Sequence, residues 1–235
     1  MDSTMTNDLP LFRSVFTVDC VIFGFDEGIL KILLIERGDE PYVGKLALPG
    51  NFVGEDENID TAAQRVLFEL TGLNKIYMEQ FYTFGETDRH PDGRIITIAY
   101  FALIKVQKQV LTPRVSSARN AGWYPLSELP RLAFDHTAIA EMAFRKLQRK
   151  IRFEPLGFEL LPDKFTLSHL QRLYEDVLEK TIDKRNFRKK MLSAGLLVEL
   201  DEKQKNVSHR AARLYRFNRR KYNNLKEKGF DFGNL

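Results

Sequence analysis

With 235 residues, 43% of them hydrophobic and 29% charged, the chain has the composition of a soluble globular protein and is long enough for two small domains. The chain has one cysteine, Cys20, so it cannot form an internal disulfide. No apolar run approaches the ~20 residues of a membrane span, and the N-terminus has no signal-peptide pattern. We therefore expect a cytoplasmic protein. The net charge of +4 is unevenly distributed along the chain. Residues 1–154 have 18 Lys and Arg against 21 Asp and Glu, whereas residues 155–235 have 18 against 11. This difference suggests a ligand-sensing domain followed by a nucleic-acid-binding domain.

The first part of the chain has runs of β-branched and aromatic residues that predict β-strands. These runs cover residues 16–25, 29–36, 76–86, 95–106 and 121–124. A turn at residues 26–28 joins the first two strands into a hairpin. A helix is predicted from residues 134–136 to about Lys150, with Asp135 as its N-cap, and Trp123 is interpreted as a core residue.

Between these strands, residues 48–73 have the pattern of a turn, an acidic loop and a short helix. Asp60 is predicted to cap this helix at its start, and Gly72 is predicted to end it. Arg65 and Glu69 lie four residues apart, which predicts an ion pair on one face of the helix. The apolar stripe on the buried face comprises Ala63, Val66, Leu67 and Leu70.

This segment resembles the Nudix box, a loop-helix-loop with the pattern G-x5-E-x7-R-E-U-x-E-E-x-G-U, in which U is a bulky apolar residue. The matching positions are Glu57, Arg65, Leu67, Glu69, Gly72 and Leu73. The departures are Asn51 at the leading glycine and Val66 and Leu70 at two of the glutamates. The resemblance implies that these glutamates hold Mg²⁺ against a diphosphate, and a hard cation needs several oxygen ligands at once. We therefore expect no catalytic residues, no metal site and no cofactor.

The order of elements also resembles the Nudix fold, a mixed sheet between helices, over roughly residues 12–152. Residues 152–162, which contain two prolines and a glycine, then break the pattern. We place a domain boundary near Glu154, between a catalytically degenerate, effector-sensing Nudix-like domain at residues 1–154 and a second domain at residues 155–235. The expected fold class is α+β.

The second domain is predicted to be a winged helix-turn-helix. Thr166 can cap a helix over residues 167–179, and Asp183 can cap a second helix over residues 184–194, which Gly195 ends. Two strands follow, at residues 196–200 and 213–218, joined by a polar loop.

The second helix of this domain combines an apolar anchor with a series of cations. Because Phe187, Met191 and Leu192 are expected to face the core, the basic residues are expected to be exposed, to neutralise phosphates and to reach base edges. The predicted DNA-binding residues are Lys184, Arg185, Asn186, Arg188, Lys189, Lys190, His209, Arg210 and Arg213. A solvated charged face is the alternative, and the basic hairpin favours DNA binding over it.

The segment FTLSHLQRLYEDVLEKTIDKRNFRKKML, together with the degenerate box, resembles Nudix-related transcriptional regulators over nearly the whole chain. In that family a Nudix-like domain senses a metabolite, and the winged helix binds double-stranded operator DNA as a homodimer. Some members sense ADP-ribose and control NAD metabolism, and others sense pentoses such as arabinose and control sugar catabolism.

Of these effectors we expect a pentose, with L-arabinose favoured. A diphosphate needs Mg²⁺ or several Arg and Lys side chains, and the missing carboxylates remove the Mg²⁺ site, whereas a sugar needs only hydrogen-bonding side chains. The candidate effector-binding residues lie in segments that the resemblance places around the Nudix cleft. They are Arg37, Lys45, Asn51, Glu69, Asp88, Arg89, Asp135 and His136. His136 is equally well interpreted as a residue that only starts the helix.

The favoured function is therefore a repressor of pentose catabolism genes that its effector releases from DNA. One alternative is an ADP-ribose-sensing regulator of NAD metabolism, and another is an active Nudix hydrolase with an appended basic domain. An RNA-binding protein is disfavoured because the chain lacks the aromatic stacking motifs of single-strand-binding modules.

Overall fold

The computed structural model describes residues 15–106, 110–154, 157–193, 195–205 and 211–227. Within these ranges the strands are β1 (Val15–Asp26), β2 (Ile29–Arg37), β3 (Leu46–Ala47), β4 (Gly50–Phe52), β5 (Glu79–Phe84), β6 (Ile95–Ile104), β7 (Ala118–Pro125), β8 (Leu197–Lys203) and β9 (Arg213–Phe217). The α-helices are α1 (Ile59–Thr71), α2 (His136–Phe153), α3 (Gly157–Leu160), α4 (Leu167–Leu178), α5 (Lys184–Ser193) and α6 (Arg219–Glu227). None of the helices described has the length and hydrophobicity needed to span a bilayer.

Strands β1 to β7 form one mixed sheet, as predicted. The strand order is β3-β2-β1-β6-β5, while β4 pairs with β1 and β7 pairs with β2. Strands β1 and β6 are parallel, from Val15 opposite Ile95 to Gly24 opposite Ile104, and the other pairs are antiparallel. The β1–β2 hairpin turns at Glu27 and Gly28, whose φ angles of 52° and 77° are those of the turn that matches strand twist.

The sheet lies between two helices because the side chains of β1 alternate between its faces. Val21 and Phe23 belong to a buried cluster with α2, whereas Cys20 and Ile22 belong to a second buried cluster with α1. Both faces of the central strands are therefore covered, which explains their nearly continuous apolar sequence.

Helix α1 begins and ends with local hydrogen bonds, but its N-cap is not the predicted residue. The Asn58 side chain accepts the N–H of Thr61 at 2.8 Å, so Asn58 is the cap. Asp60 lies in the first turn and accepts the hydroxyl of buried Tyr100 at 2.5 Å. Asn and Asp are equally good N-caps, and the helix uses the earlier one. Gly72 ends the helix with a φ of 80°, as predicted.

The C-terminal elements confirm the predicted order of helix, turn, helix and hairpin. Thr166 caps α4 by accepting the N–H of His169 at 3.1 Å, and Asp183 accepts the N–H of Asn186 at the start of α5 at 2.8 Å. Phe187 and Met191 are buried, but Leu192 is 37% exposed, so its prediction as a core anchor is wrong. In a helix, residues four apart share a face and the next residue points away from it.

The differences from the predicted bounds arise from pairing and from weak sequence signals. Strand β7 is longer than predicted because it pairs with β2 from Lys31 opposite Pro125 to Arg37 opposite Ala118. Helix α6 was not predicted because its sequence, RRKYNNLKE, has almost no apolar face. Trp123 is partly buried against the α1-side cluster, which agrees with its interpretation as a core residue.

The winged helix elements pack directly on the sheet. The buried cluster around β1 and α2 also contains Leu173, Tyr174 and Phe187. At its edge, the N–H of Leu30 in β2 donates to the Asp176 carboxylate of α4 at 3.2 Å. Burial raises the pKa of Asp176, and this carboxylate also pairs with Arg172 at 3.0 Å. The sheet and the winged helix thus share one core.

Replacing Asp176 by Ala is expected to lower the free energy of unfolding by about 1–3 kcal/mol, because the buried N–H of Leu30 loses its acceptor. Arg172→Ala is the control, since it removes only a largely exposed ion pair and is expected to cost less than about 1 kcal/mol. Denaturant unfolding of both variants and the unsubstituted chain measures the difference. Equal losses in the two variants would refute a specific role for the Leu30 contact.

Candidate functional site

A pocket of about 190 Å³ opens beside the central strands of the sheet. Its wall is formed mainly by the first half of β1, by the end of β2 and the loop after it, by β4, by the loop before β6 and by the start of α2. Four predicted effector residues line it, namely Arg37, Asn51, Arg89 and His136. The structure therefore brings together residues that lie up to a hundred positions apart in the chain.

The other predicted effector residues lie outside the pocket wall. Asp135 is adjacent to it, because its carboxylate is bound to Arg89. Lys45 and Asp88 are exposed, and Glu69 lies on α1, where it pairs with Arg65. Lys45, Asp88 and Glu69 are therefore not among the residues that line the pocket.

A buried ion pair forms the floor of the pocket. Arg89 Nε and Nη2 donate to the two carboxylate oxygens of Asp135 at 2.9 and 2.8 Å. Arg89 Nη2 also lies 3.5 Å from Asp19 Oδ2, and both of these side chains are at most 5% exposed. Asp135 is the N-cap residue of α2, as predicted, but its side chain makes no capping bond to the helix. Its carboxylate is occupied by the stronger, bidentate pairing with a guanidinium.

His136 connects this floor to the turn before β4. Its Nδ1 accepts the N–H of Leu48 at 3.0 Å, so in the neutral ring the proton is on Nε2, which lies 3.4 Å from Asp19 Oδ1. Burial lowers the pKa of His136, and this outweighs the opposite effect of the nearby Asp19. His136 thus both starts α2 and belongs to the pocket.

Phe134 forms the aromatic part of the wall. The His90 ring is stacked on it, with 4.7 Å between centroids and 16° between planes. The Arg37 guanidinium lies 4.8 Å from the same ring centroid, and Arg37 Nε donates to the Pro41 carbonyl at 2.8 Å. A guanidinium held in this way stays cationic, although burial lowers the pKa of Arg37. The pocket therefore offers a positioned cation to an anionic ligand.

Asp19, His90 and Phe134 are among the lining residues of this pocket that sequence reasoning missed. Asp19 had a usable signal, because a lone charge inside the apolar run of residues 16–25 must be buried in a central strand and needs a partner there. His90 and Phe134 had no such signal. Their stacking depends on loops whose conformation the sequence pattern does not specify.

The degenerate box is organised around Arg65. Its guanidinium donates to Glu57 at 2.5 and 3.0 Å, to Glu69 at 2.9 Å and to the Phe52 carbonyl at 2.9 Å. The hydrogen bond from Arg65 is the main reason why the pKa of Glu57 is lowered to about 2. The interpretation of Arg65 and Glu69 as a structural ion pair agrees with this geometry.

The same region does not fit a divalent cation. Both remaining carboxylates of the box already accept hydrogen bonds from Arg65. The other two positions, Val66 and Leu70, are 0% and 1% exposed and present hydrocarbon. Over the residues that the structure describes, no group of three or more His, Cys, Asp or Glu side chains is placed to hold a metal ion.

A second candidate site is the cationic face of α5. With Phe187 and Met191 turned into the core, five of the six predicted DNA-binding residues of α5 are exposed, and the sixth, Lys190, is half-buried. The exposed residues are Lys184, Arg185, Asn186, Arg188 and Lys189. Arg213 on β9 is exposed as well but is bound to Glu199 across the hairpin. His209 and Arg210, also predicted to contact DNA, lie outside the described residues.

Two family models match the chain. Residues 14–145, more than half of the chain, match the NUDIX domain. Residues 157–217 match the NrtR DNA-binding winged helix domain. The two matches agree with the predicted fold class and with the order of the two folds along the chain.

The chain is similar to several known proteins. It is 38% identical over 207 residues to the ADPR responsive transcriptional repressor NtrR of Acinetobacter baylyi, covering 86% of this chain and 82% of that protein. It is 33% identical to Shewanella oneidensis NrtR in complex with a 27mer DNA, with a TM-score of 0.71 and coverage of 88% of this chain and 95% of that one. For the NUDIX domain of Shewanella oneidensis NrtR in complex with ADP ribose, the identity is 33%, the TM-score 0.54 and the coverage 58% and 90%.

These relatives contradict the prediction of a pentose effector. The Acinetobacter protein is named for its response to ADP-ribose, and the Shewanella domain is bound to ADP-ribose. The prediction of arabinose and of carbohydrate metabolism is therefore wrong. It gave most weight to the lost Mg²⁺ site, although arginine side chains can also pair with a diphosphate, and Arg37 lies at the pocket wall.

The lowered pKa values of two histidines, His136 and His90, predict how stability depends on pH. Burial lowers the pKa of His136 and of His90, so the unfolded chain binds protons more readily than the folded one. Stability is therefore expected to fall as pH decreases below about 6.5, the ordinary pKa of histidine. Between pH 7.5 and 5.5 the melting temperature should fall, and His136→Asn should reduce this fall.

His169→Asn is the comparison for this experiment, because His169 is exposed on its helix and yet partial desolvation lowers its pKa as well. It should remove a smaller part of the pH dependence than His136→Asn. A melting temperature that is constant from pH 7.5 to 5.5, or a full pH dependence in His136→Asn, would contradict the assignment.

Proposed function

The chain belongs to the NrtR family of DNA-binding transcriptional regulators, in which a winged helix follows a Nudix domain, and from this membership we propose that it is a repressor that ADP-ribose releases from DNA. The ADP-ribose-sensing regulator of NAD metabolism is thus preferred over the repressor of pentose catabolism genes. The observation that carries the proposal is that one hydrophobic core connects the pocket with α5, the helix that has the cationic face.

Strand β1 provides this connection. Asp19 of β1 borders the pocket, and Val21 of the same strand packs in the cluster that contains Leu173 of α4 and Phe187 of α5. A ligand in the pocket therefore contacts a strand that supports the winged helix. Release of DNA requires that ADP-ribose bind the arrangement that does not fit DNA more tightly than the one that does.

The chemistry of the pocket supports a ligand that carries a diphosphate. Arg37 is the positioned cation of the wall, and guanidinium groups pair with phosphate oxygens through two parallel hydrogen bonds. Arg89 is less available, because Asp135 occupies its Nε and Nη2. We propose that Arg37 is the principal diphosphate contact.

We propose further that the chain does not hydrolyse its effector. The hydrolase alternative needs carboxylates that hold Mg²⁺, and Glu57 and Glu69 are both bound to Arg65. The missing glutamates are replaced by Val66 and Leu70, and no step of hydrolysis can be assigned to hydrocarbon side chains. The Nudix domain is then a sensor that has kept the fold without the reaction.

For DNA binding we propose that α5 enters the major groove, as the second helix of a helix-turn-helix does. Its exposed cations would contact phosphates, and Arg185 and Asn186 near its start would reach base edges. One winged helix reads few base pairs, so we expect a homodimer on a two-fold site. The domain boundary near Glu154 also stays a prediction, supported by the end of α2 at Phe153.

Arg185→Ala and Arg188→Ala are each expected to weaken binding to a duplex that the unsubstituted chain selects from random DNA. Each lost phosphate contact should also reduce the slope of log affinity against log salt by about one. The control is Arg145→Ala, which removes an equal charge from an exposed position on α2. Fluorescence anisotropy at several salt concentrations measures both quantities. If both variants bind like the unsubstituted chain, α5 is not the recognition helix.

ADP-ribose is expected to dissociate this complex, whereas L-arabinose and D-xylose are not. Arg37→Ala should leave DNA binding unchanged but raise the ADP-ribose concentration needed for release by about 10-fold or more, because a charge-assisted hydrogen bond is lost. Arg119→Ala, an exposed arginine outside the pocket wall, is the control. Release that is equally sensitive in all three proteins would refute the role of Arg37.

The same mixtures, with Mg²⁺ added, distinguish a sensor from a hydrolase. We expect ADP-ribose to remain intact when the products are separated by chromatography. Turnover that disappears in Glu69→Gln would establish the hydrolase alternative, because Glu69 is one of the two carboxylates that remain in the box.

A further inference from the structure

Asp19 has an unusual position for a charged side chain. It lies in the middle of the central strand β1, is 3% exposed and borders the pocket. Its nearest nitrogen partners are Arg89 Nη2 at 3.5 Å and His136 Nε2 at 3.4 Å. Hydrogen bonds to a carboxylate are usually 2.7–3.0 Å long, so neither partner satisfies Asp19 fully. Its oxygens keep acceptor capacity for a ligand.

The surroundings also fix the carboxylate in place. A Cβ atom at Gly50 would lie 1.9 Å from Asp19 Oδ1, which means that the carboxylate rests against the backbone of β4. Only glycine allows this approach. The acceptor is therefore oriented before any ligand arrives, and an oriented acceptor contributes more to affinity than a mobile one.

The size and walls of the pocket limit which part of a ligand can reach Asp19. A volume of about 190 Å³ is smaller than the roughly 300–1,000 Å³ of sites that hold a whole ligand, so only one end of the ligand fits. An adenine would need a free aromatic face. The ring of Phe134 already has the His90 ring stacked on it at 4.7 Å, and it has Arg37 and Tyr42 within 4.8 and 4.9 Å of its centroid.

The charge of Asp19 limits the ligand further. A carboxylate repels a phosphate and accepts hydrogen bonds from hydroxyl groups. Resting on the function proposed above, we propose that this pocket holds the terminal ribose of ADP-ribose and that Asp19 accepts hydrogen bonds from its hydroxyl groups. Arg37 at the wall is then placed for the diphosphate that follows. Asp19 is thus the residue that distinguishes ADP-ribose from ADP, which has the same adenosine and diphosphate but no terminal ribose.

The test compares the affinities for ADP-ribose and ADP by titration calorimetry. The unsubstituted chain should bind ADP-ribose about 10- to 100-fold more tightly than ADP, because without the ribose Asp19 stays unsatisfied. Asp19→Asn keeps the size of the side chain but removes its charge. It should weaken ADP-ribose binding about 10- to 100-fold and change ADP binding less than about 2-fold. Asp56→Asn, at an exposed aspartate, should leave both affinities unchanged.

The outcomes separate this inference from the proposed function. If the unsubstituted chain binds neither compound, the proposed function fails and the inference fails with it. If it binds ADP-ribose and ADP equally well, the effector assignment stands and the role of Asp19 is refuted. That comparison needs no variant, so it decides the question even if Asp19→Asn does not fold. A folded Asp19→Asn protein, judged by circular dichroism and DNA binding, that keeps full preference for ADP-ribose also refutes the role.

Discussion

The pairing of β1 with three other strands is the constraint on which the remaining structure depends. The strand is bonded to β2 on one side, to β6 in parallel on the other, and to β4 near its start. Its alternating side chains supply both buried clusters, one under α1 and one under α2 and the winged helix. A shift of one residue in this register would exchange the two faces and move Asp19 out of the pocket.

The cost of burying charge explains why the pocket has its present composition. Two carboxylates, Asp19 and Asp135, surround one guanidinium, Arg89, and the buried His136 favours its neutral form. Removing charges from water costs several kcal/mol for each ion unless they are paired. This group therefore has one negative charge in excess, and Arg37 at the pocket wall is the nearby cation that offsets part of it. A folded domain tolerates such an excess where a ligand completes the hydrogen bonding.

The sequence was sufficient for most features whose signal is local, and the cap of α1, which is Asn58 and not Asp60, is an exception. The apolar run at residues 16–25 predicted β1, and Thr166 and Asp183 predicted the starts of the two helices of the winged helix. It was insufficient where the outcome depends on contacts between distant residues. The pairing of Arg89 with Asp135 and the approach of Asp19 to Gly50 follow from strand register and loop conformation. The error about the effector had another cause, since the prediction gave more weight to the lost Mg²⁺ site than to the arginines that can pair with a diphosphate.

The backbone pairing of Phe165 with Tyr215 has a consequence for how such a regulator could switch. The Phe165 N–H donates to the Tyr215 carbonyl at 3.0 Å, the Phe165 carbonyl accepts the Tyr215 N–H at 2.8 Å, and the next residue, Thr166, caps α4. The β8–β9 hairpin, which is the wing, is thereby bonded to the start of α4, so the wing and the two helices form a single DNA-binding unit. Ligand binding in the pocket would then leave the structure of each DNA-binding unit unchanged. In a homodimer it would change the distance and the angle between the two DNA-binding units, whose spacing must match one turn of the double helix.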